Sequence, residues 1–246
     1  MKKSSFLKII IFLIISAICI CALAFLFGTL YIPNGIETTV TNTDITEYTI
    51  IIDAGHGGED GGASSVAGLI EKDVNLDIAK MLCDMLKKRG INVVMTREDD
   101  RLLYDRNVDY HGRKKKLDLA ARLAIAKNTD NAILVSIHMN SFTDPKYSGL
   151  QVWYSQNMPE SLTLADIIQS KNREMLQPEN KRTTKAATSA IRMLDSAPCI
   201  AVLVECGFLS NVEEASKFQT AEYKEQVAYV ICCSICEFLE KQESHS

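Results

Sequence analysis

Short apolar runs alternating with amphipathic helix patterns constrain this chain more than any other feature. Thr49-Ile50-Ile51-Ile52 is a β-branched run, and Ile91 to Thr96, Ala132 to Ile137 and Leu150 to Tyr154 read as further strands. Ile200 to Val204 is apolar throughout. Strands of this kind are buried on both faces. Helix patterns stand between them, at 71–89, 117–127, 162–176 and 222–240. In the first, Val74, Ile78, Met81, Leu82 and Met85 share one stripe, Lys87-Lys88-Arg89 suits the negative helix end, and Gly90 stops it. Alternating β and α units imply an α/β fold: a largely parallel, twisted sheet with helices on both faces.

The first 32 residues belong to a different solvent. Lys2, Lys3 and Lys8 precede an uncharged run from Ile9 to Ile32. As a helix this run is long enough for the roughly 30 Å hydrocarbon core of a bilayer. The basic flank places the N-terminus inside and the remainder outside. A cleaved signal peptide is the alternative, with Ala22-Leu23-Ala24 as the small-x-small site. The apolar run continues through Phe25, Leu26, Phe27 and Leu30, longer than a usual signal core, which favours an uncleaved anchor. In either case the domain is exported. Residues 33–47 read as a linker, and residues 48–246 as one folded domain.

The net charge of −4 argues against a nucleic-acid partner. The eight cysteines do not read as a disulfide framework, because most fall at core positions. Cys233 and Cys236 form a CxxC on a predicted helix, without a second pair or a nearby His to make it a metal or redox site.

Three predicted strands run into residues that can handle a metal or a proton. The first leads to Asp53-Ala54-Gly55-His56, the third to Ser136-Ile137-His138, and the last to Glu205. In open α/β sheets, ligands collect at the carboxyl ends of strands, so these residues converge on one rim. Six of the twelve glycines lie between Gly55 and Gly68, in a loop that ends where Glu71 opens a helix. Two imidazoles and a carboxylate make a His₂Glu set, a catalytic zinc arrangement that leaves a position for water. A further carboxylate must take the proton and return it to the leaving nitrogen, and Glu205 is the candidate. Five apolar residues precede it, so an acid there needs a partner or a task.

Taken singly, these residues have plainer readings: His138 as a core histidine, Glu71 as a first-turn acid favoured by the helix dipole. There is no Walker loop, no dinucleotide fingerprint, no HExxH and no GxSxG. Cys206 could be a nucleophile with a His base, although its apolar flanks suggest an inert core thiol. His111 with Arg113-Lys114-Lys115-Lys116 reads as a solvated loop.

Four motifs, IIIDAGHGGEDGGA, GLIEKDVNLDIA, LVSIHMNS and LVECGFLSN, resemble the zinc-dependent N-acetylmuramoyl-L-alanine amidases of the amidase-3 family. The likeness runs from about Thr49 to Leu239 and takes in Thr96-Arg97, Leu119 and Arg122. It implies a Rossmann-like domain with a sheet of about six strands. It implies one Zn²⁺ held by His56, Glu71 and His138, with Glu205 as catalytic acid/base. The substrate it implies is peptidoglycan, cut between the lactyl group of N-acetylmuramic acid and L-alanine. A bare catalytic domain behind one apolar segment is similar to the spore-cortex, germination-specific subgroup, as are Glu213-Glu214 and the Tyr223 segment. The flexible glycine loop raises the expectation of an activating partner protein. The chain departs from the pattern just before the last strand. Relatives place Pro at the position of Ile200, whereas this chain has Pro198. The basic residue often found upstream has no clean counterpart, with Arg192 near it and Asp195 in the aligned place, which puts a substrate role for Arg192 in doubt. The alternatives to a metal amidase are a thiol amidase using Cys206 and a non-catalytic wall-binding module.

Overall fold

The computed structural model describes residues 48–105, 107 and 111–244. The expected membrane segment and linker lie outside the described residues, and so does the small-x-small site. Among the described residues no helix is long and apolar enough to cross a membrane.

The chain runs β1 Thr49–Ala54, α1 Glu71–Lys87, β2 Asn92–Met95, α2 Lys114–Lys127, β3 Ala132–Asn140 and β4 Gln151–Tyr154. It continues with α3 Glu160–Met175, β5 Lys185–Ala186, α4 Arg192–Asp195, β6 Ile200–Phe208, α5 Val212–Phe218 and α6 Ala221–Glu243. The six strands form one sheet in the order β2-β1-β3-β6-β4-β5. β2, β1, β3 and β6 pair in parallel. β4 is antiparallel to β6, and β5 follows β4 in parallel. No helix separates β3 from β4, and a parallel return needs a crossover of a dozen residues or more. The short connection therefore reverses the chain, which qualifies the largely parallel expectation at this edge.

Alternate residues of the central strands feed two cores. Ile50, Ile52, Ile133, Val135, Val202 and Val204 face a layer containing α1, α3 and α6. Ile51, Leu134, Ala201 and Leu203 face the opposite layer, with Leu119 and Leu123 of α2 and Leu194 of α4. Burial on both faces is why these strands read as unbroken apolar runs. On α1, Val74, Ile78, Leu82 and Leu86 are buried, while Met81 and Met85 lie at the margin of the stripe. Fully burying such a side chain contributes roughly 1.5–3 kcal/mol.

Several boundaries differ from expectation, two of them beside the candidate site residues or the glycine loop. β6 does not end before Glu205 but continues to Phe208, because β3 also extends and pairs Asn140 with Phe208 past an irregularity after His138. The basic stretch after Arg113 is not a loop: Lys114 to Lys116 open α2.

Candidate active site

The chain turns sharply where β1 ends, and the turn aims His56. Gly55 follows the strand, and any Cβ there would overlap the His138 ring. His56 itself adopts φ 61, a conformation few side-chain-bearing residues hold without support. The support comes from two buried arginines. Arg122 donates through Nη1 to Asp53 Oδ1 at 2.6 Å and Ala54 O at 2.8 Å, and through Nη2 to His56 O at 2.6 Å. Its Nε reaches Asp118 Oδ2 at 2.8 Å. Arg97 donates to Ala54 O, Gly55 O and Lys72 O at 2.8, 3.0 and 2.7 Å. Thr96 and Ser136 hydroxyls complete the shell of Asp53 at 2.8 and 2.6 Å. Burial alone would raise the Asp53 carboxyl, but Arg122 and Ser136 hold it below its usual range.

The glycine loop does for α1 what no capping side chain does. Ala63 O accepts from Glu71 N at 2.9 Å and Gly61 O from Lys72 N at 3.1 Å, so loop carbonyls meet the first free amides of the helix. Ala63 N donates in turn to Glu71 Oε2 at 2.7 Å. At Gly62, φ is 70 and a Cβ would press on the Glu71 carboxylate and the His56 ring, so only glycine fits. The loop is tied down on its outer side. Lys72 bridges Gly58 O and Asp100, each at 2.7 Å, and Lys114 reaches Glu59 at 2.6 Å.

His56, Glu71 and His138 are brought together: one ligand atom from each lies within 4.8 Å of the other two. Glu71 Oε1 is 3.2 Å from His56 Nε2 and 2.9 Å from His138 Nδ1. The two imidazoles meet edge to face with centres 5.0 Å apart. Asn75, one turn along α1, steadies the carboxylate at 3.5 Å and donates to Gly55 O at 3.2 Å. Met139 N adds a donor at 3.1 Å. Burial would raise the Glu71 carboxyl, yet the bonds from His138 and His56 hold it far below the usual carboxylate range. Burial likewise pulls His56 down, and Glu71 and Asp60 reverse this, leaving it raised. A deprotonated carboxylate converging with two imidazoles is the donor chemistry of a zinc or similar transition-metal site.

Glu205 stands beside this group. Sheet register makes it the direct neighbour of His138. Its Oε2 is buried without a hydrogen-bond partner among the described residues. Burial raises its pKa, and the Glu71 charge adds to this, while His138, His56 and Arg182 partly oppose it. A carboxyl so placed is poised to exchange a proton.

The alternative nucleophile, Cys206, is placed as the inert core thiol its apolar flanks suggest. Cys206 is fully buried, and burial pushes its thiol far up, so it stays a protonated packing group. Arg192 sits in the four-residue α4, which packs on the face opposite the layer of α1. Sequence reading missed Asp60, whose Oδ2 lies 3.0 Å from His56 Nδ1, and gave no role to Asn75 or Asp53. The signal for Asn75 was present: it is a polar residue among buried positions of α1.

Comparison with known proteins gives the family. The family model described as N-acetylmuramoyl-L-alanine amidase matches residues 50–237. A germination-specific N-acetylmuramoyl-L-alanine amidase of Bacillus subtilis is 34% identical over 180 residues, covering 73% of this chain and 74% of that protein. The CwlD amidase of Clostridioides difficile, solved in complex with the GerS lipoprotein, superposes with a TM-score of 0.74 at 36% identity, over 78% of this chain and 98% of that one. AmiC2 of Nostoc punctiforme, also an N-acetylmuramoyl-L-alanine amidase, gives a TM-score of 0.66 at 30% identity, over 79% of this chain and 98% of its own.

Proposed function

The chain belongs to the N-acetylmuramoyl-L-alanine amidase family, and on that premise we propose that it is a zinc-dependent peptidoglycan amidase in which Glu205 moves the proton. The single observation that carries the proposal is the gathering of His56, Glu71 and His138 beside Glu205, whose Oε2 is buried without a partner among the described residues. His56, Glu71 and His138 would hold the ion. Bound zinc supplies a Lewis acid for the amide carbonyl and lowers the pKa of water to about 7.

The remaining work falls to the chain. Glu71 stays deprotonated because two imidazoles and the backbone amides of Ala63 and Met139 satisfy it. Arg122 and Arg97 fix the carbonyls of the turn, so that His56 does not swing out of register. Glu205 takes a proton from the attacking water and delivers it to the nitrogen that leaves as the amino group of L-alanine. The raised pKa of Glu205 suits both halves of that cycle. The products are an intact glycan strand with free lactyl carboxylates and a released peptide.

The setting of this reaction belongs to the same proposal. Residues 1–32 anchor the protein from the cytoplasmic side, residues 33–47 act as a linker, and residues 48–246 work outside the membrane. The likeness to a germination-specific amidase supports a role in spore cortex maturation. Because the CwlD amidase was solved with a lipoprotein, an activating partner is part of the reading.

Digestion of purified peptidoglycan, with mass analysis of the products, tests the proposal. Free peptides beginning at L-alanine are expected, with activity abolished by a chelator and restored by zinc. Activity that survives chelation but ends on thiol alkylation would overturn it.

A further inference from the structure

Arg182 is a half-buried cation that forms no ion pair among the described residues. It is nevertheless held in place. Its Nε donates to Ser148 O at 2.8 Å and its Nη1 to Gln151 Oε1 at 2.9 Å. The guanidinium carbon stands 4.4 Å from the centre of the Phe208 ring and 6.0 Å from that of Tyr147. Two bonds and a ring face therefore fix the plane of the fork, and Nη2 is committed to no acceptor among the described residues. Burial lowers the Arg182 pKa, and Glu214, Tyr147 and Glu205 only partly offset this. An immobilised guanidinium with a donor edge to spare is a built receptor for a carboxylate, because its geometry is fixed before the ligand arrives.

Sheet register carries this receptor to the reaction site. His138 in β3 is the direct neighbour of Glu205 in β6, and Glu205 is the direct neighbour of Gln151 in β4. Directly opposed residues project from one face of a sheet. His138, Glu205 and Gln151 therefore form one row across three strands, and Arg182 is bonded to its end. Gln151 is itself buried and fully engaged, its Nε2 donating to Thr183 O at 2.8 Å. Past Arg182 opens a cavity of about 650 Å³, lined also by Tyr147, Gly149, Gln177 and Asn180.

We infer that Arg182 receives a carboxylate on the peptide arm of the substrate, and that the cavity beside it houses that arm while the scissile amide lies at Glu205. The inference rests on the amidase reading for the identity of the substrate. In it Arg182 is a positioning and specificity-determining residue: it ranks anionic peptides above neutral ones and takes no part in proton transfer.

The test compares two soluble disaccharide-peptides, one with a free carboxylate on the second peptide residue and one with that group amidated. Zinc-loaded enzyme should show a KM about tenfold to a hundredfold lower for the acid, the range of a charge-assisted pair. Arg182→Met should remove the difference by raising KM for the acid alone, with kcat within about threefold on both substrates. Arg182→Lys should recover part of it. An equal loss of kcat on both substrates, with KM unchanged, would show instead that Arg182 tunes Glu205, and would overturn the inference; so would a wild-type enzyme that does not discriminate. Calorimetric binding of the free peptide and its amide separates this inference from the amidase reading. If neither disaccharide-peptide is cleaved but wild type still prefers the acid peptide and Arg182→Met does not, the amidase reading fails and the receptor stands. Should Arg182→Met unfold, Arg182→Lys and the wild-type comparison of acid with amide decide the matter.

Discussion

Arg122 and Arg182 both sit near the carboxyl ends of the strands, and they are used in opposite ways. Arg122 is surrounded by two carboxylates and two carbonyls of the turn where β1 ends, and the carboxylates raise its pKa despite burial. Arg182 meets only neutral oxygens and aromatic rings, and burial lowers its pKa. The same contrast separates Asp53 from Glu205. Asp53 accepts from Thr96, Ser136 and Arg122, whereas Glu205 keeps an oxygen unpartnered. Polar groups satisfied inside the protein hold the turn that aims His56. On the proposed reading, the spare groups of Glu205 and Arg182 face the substrate, and their cost is carried by the fold around them.

Glu205→Gln should separate activity from stability most widely. Turnover should fall by about 10² to 10⁴, the span of general acid–base catalysis. The melting temperature should hold or rise, since a neutral amide replaces a carboxyl that burial already disfavours. A marked fall in melting temperature would place Glu205 among the structural groups and break the contrast.

Arg122→Met should do the reverse, destabilising by about 3–5 kcal/mol because it strands buried Asp53 and Asp118. Urea unfolding measures it, and a loss under 1 kcal/mol would contradict the structural role. The pH dependence sharpens the point. Folding lowers the Asp53 pKa from its ordinary 3.8, so its stabilisation is present above that value and fades as pH falls through the lower folded value. Wild type should lose this increment below about pH 4, and Arg122→Met should show a smaller loss over the same window.

Glu214→Gln is the smallest of these effects. The Glu214 carboxylate accepts from Gly149 N at 2.9 Å and Phe208 N at 2.8 Å. An amide keeps one acceptor and turns its NH₂ against the other donor, a loss of about 1–3 kcal/mol. Gly149 lines the cavity beside Arg182, so KM should rise modestly while kcat holds; kinetics on the acid substrate checks both.

Much of this was legible in the sequence wherever a pattern repeats within one element. The β-branched run at Thr49–Ile52 and the stripe on 71–89 gave β1 and α1, and the strand-end positions of His56 and His138 marked the rim. β5 and α4, at two and four residues, are too short to show any period. α5 was legible but unread: Asn211 followed three residues later by Glu214 is a helix-start signature, and Asn211 does cap it, accepting from Glu214 N at 3.0 Å. Glu205 read as following the end of a strand because a charge succeeds an apolar run. The partner strand β3 carries the pairing on to Phe208, and no local pattern reports that.

By itself the sequence determined the types of the longer elements, the two-sided burial of the central strands, and the strand-end placing of the candidate site residues. Tertiary structure alone decided which polar groups are satisfied. Arg122 reaches an acid 69 positions away in sequence, while Arg182 reaches none among the described residues. Periodicity reports only on neighbours along the chain, whereas charge compensation depends on strand register and on which distant side chains share a buried space. That is why two arginines alike in composition became a brace and a receptor.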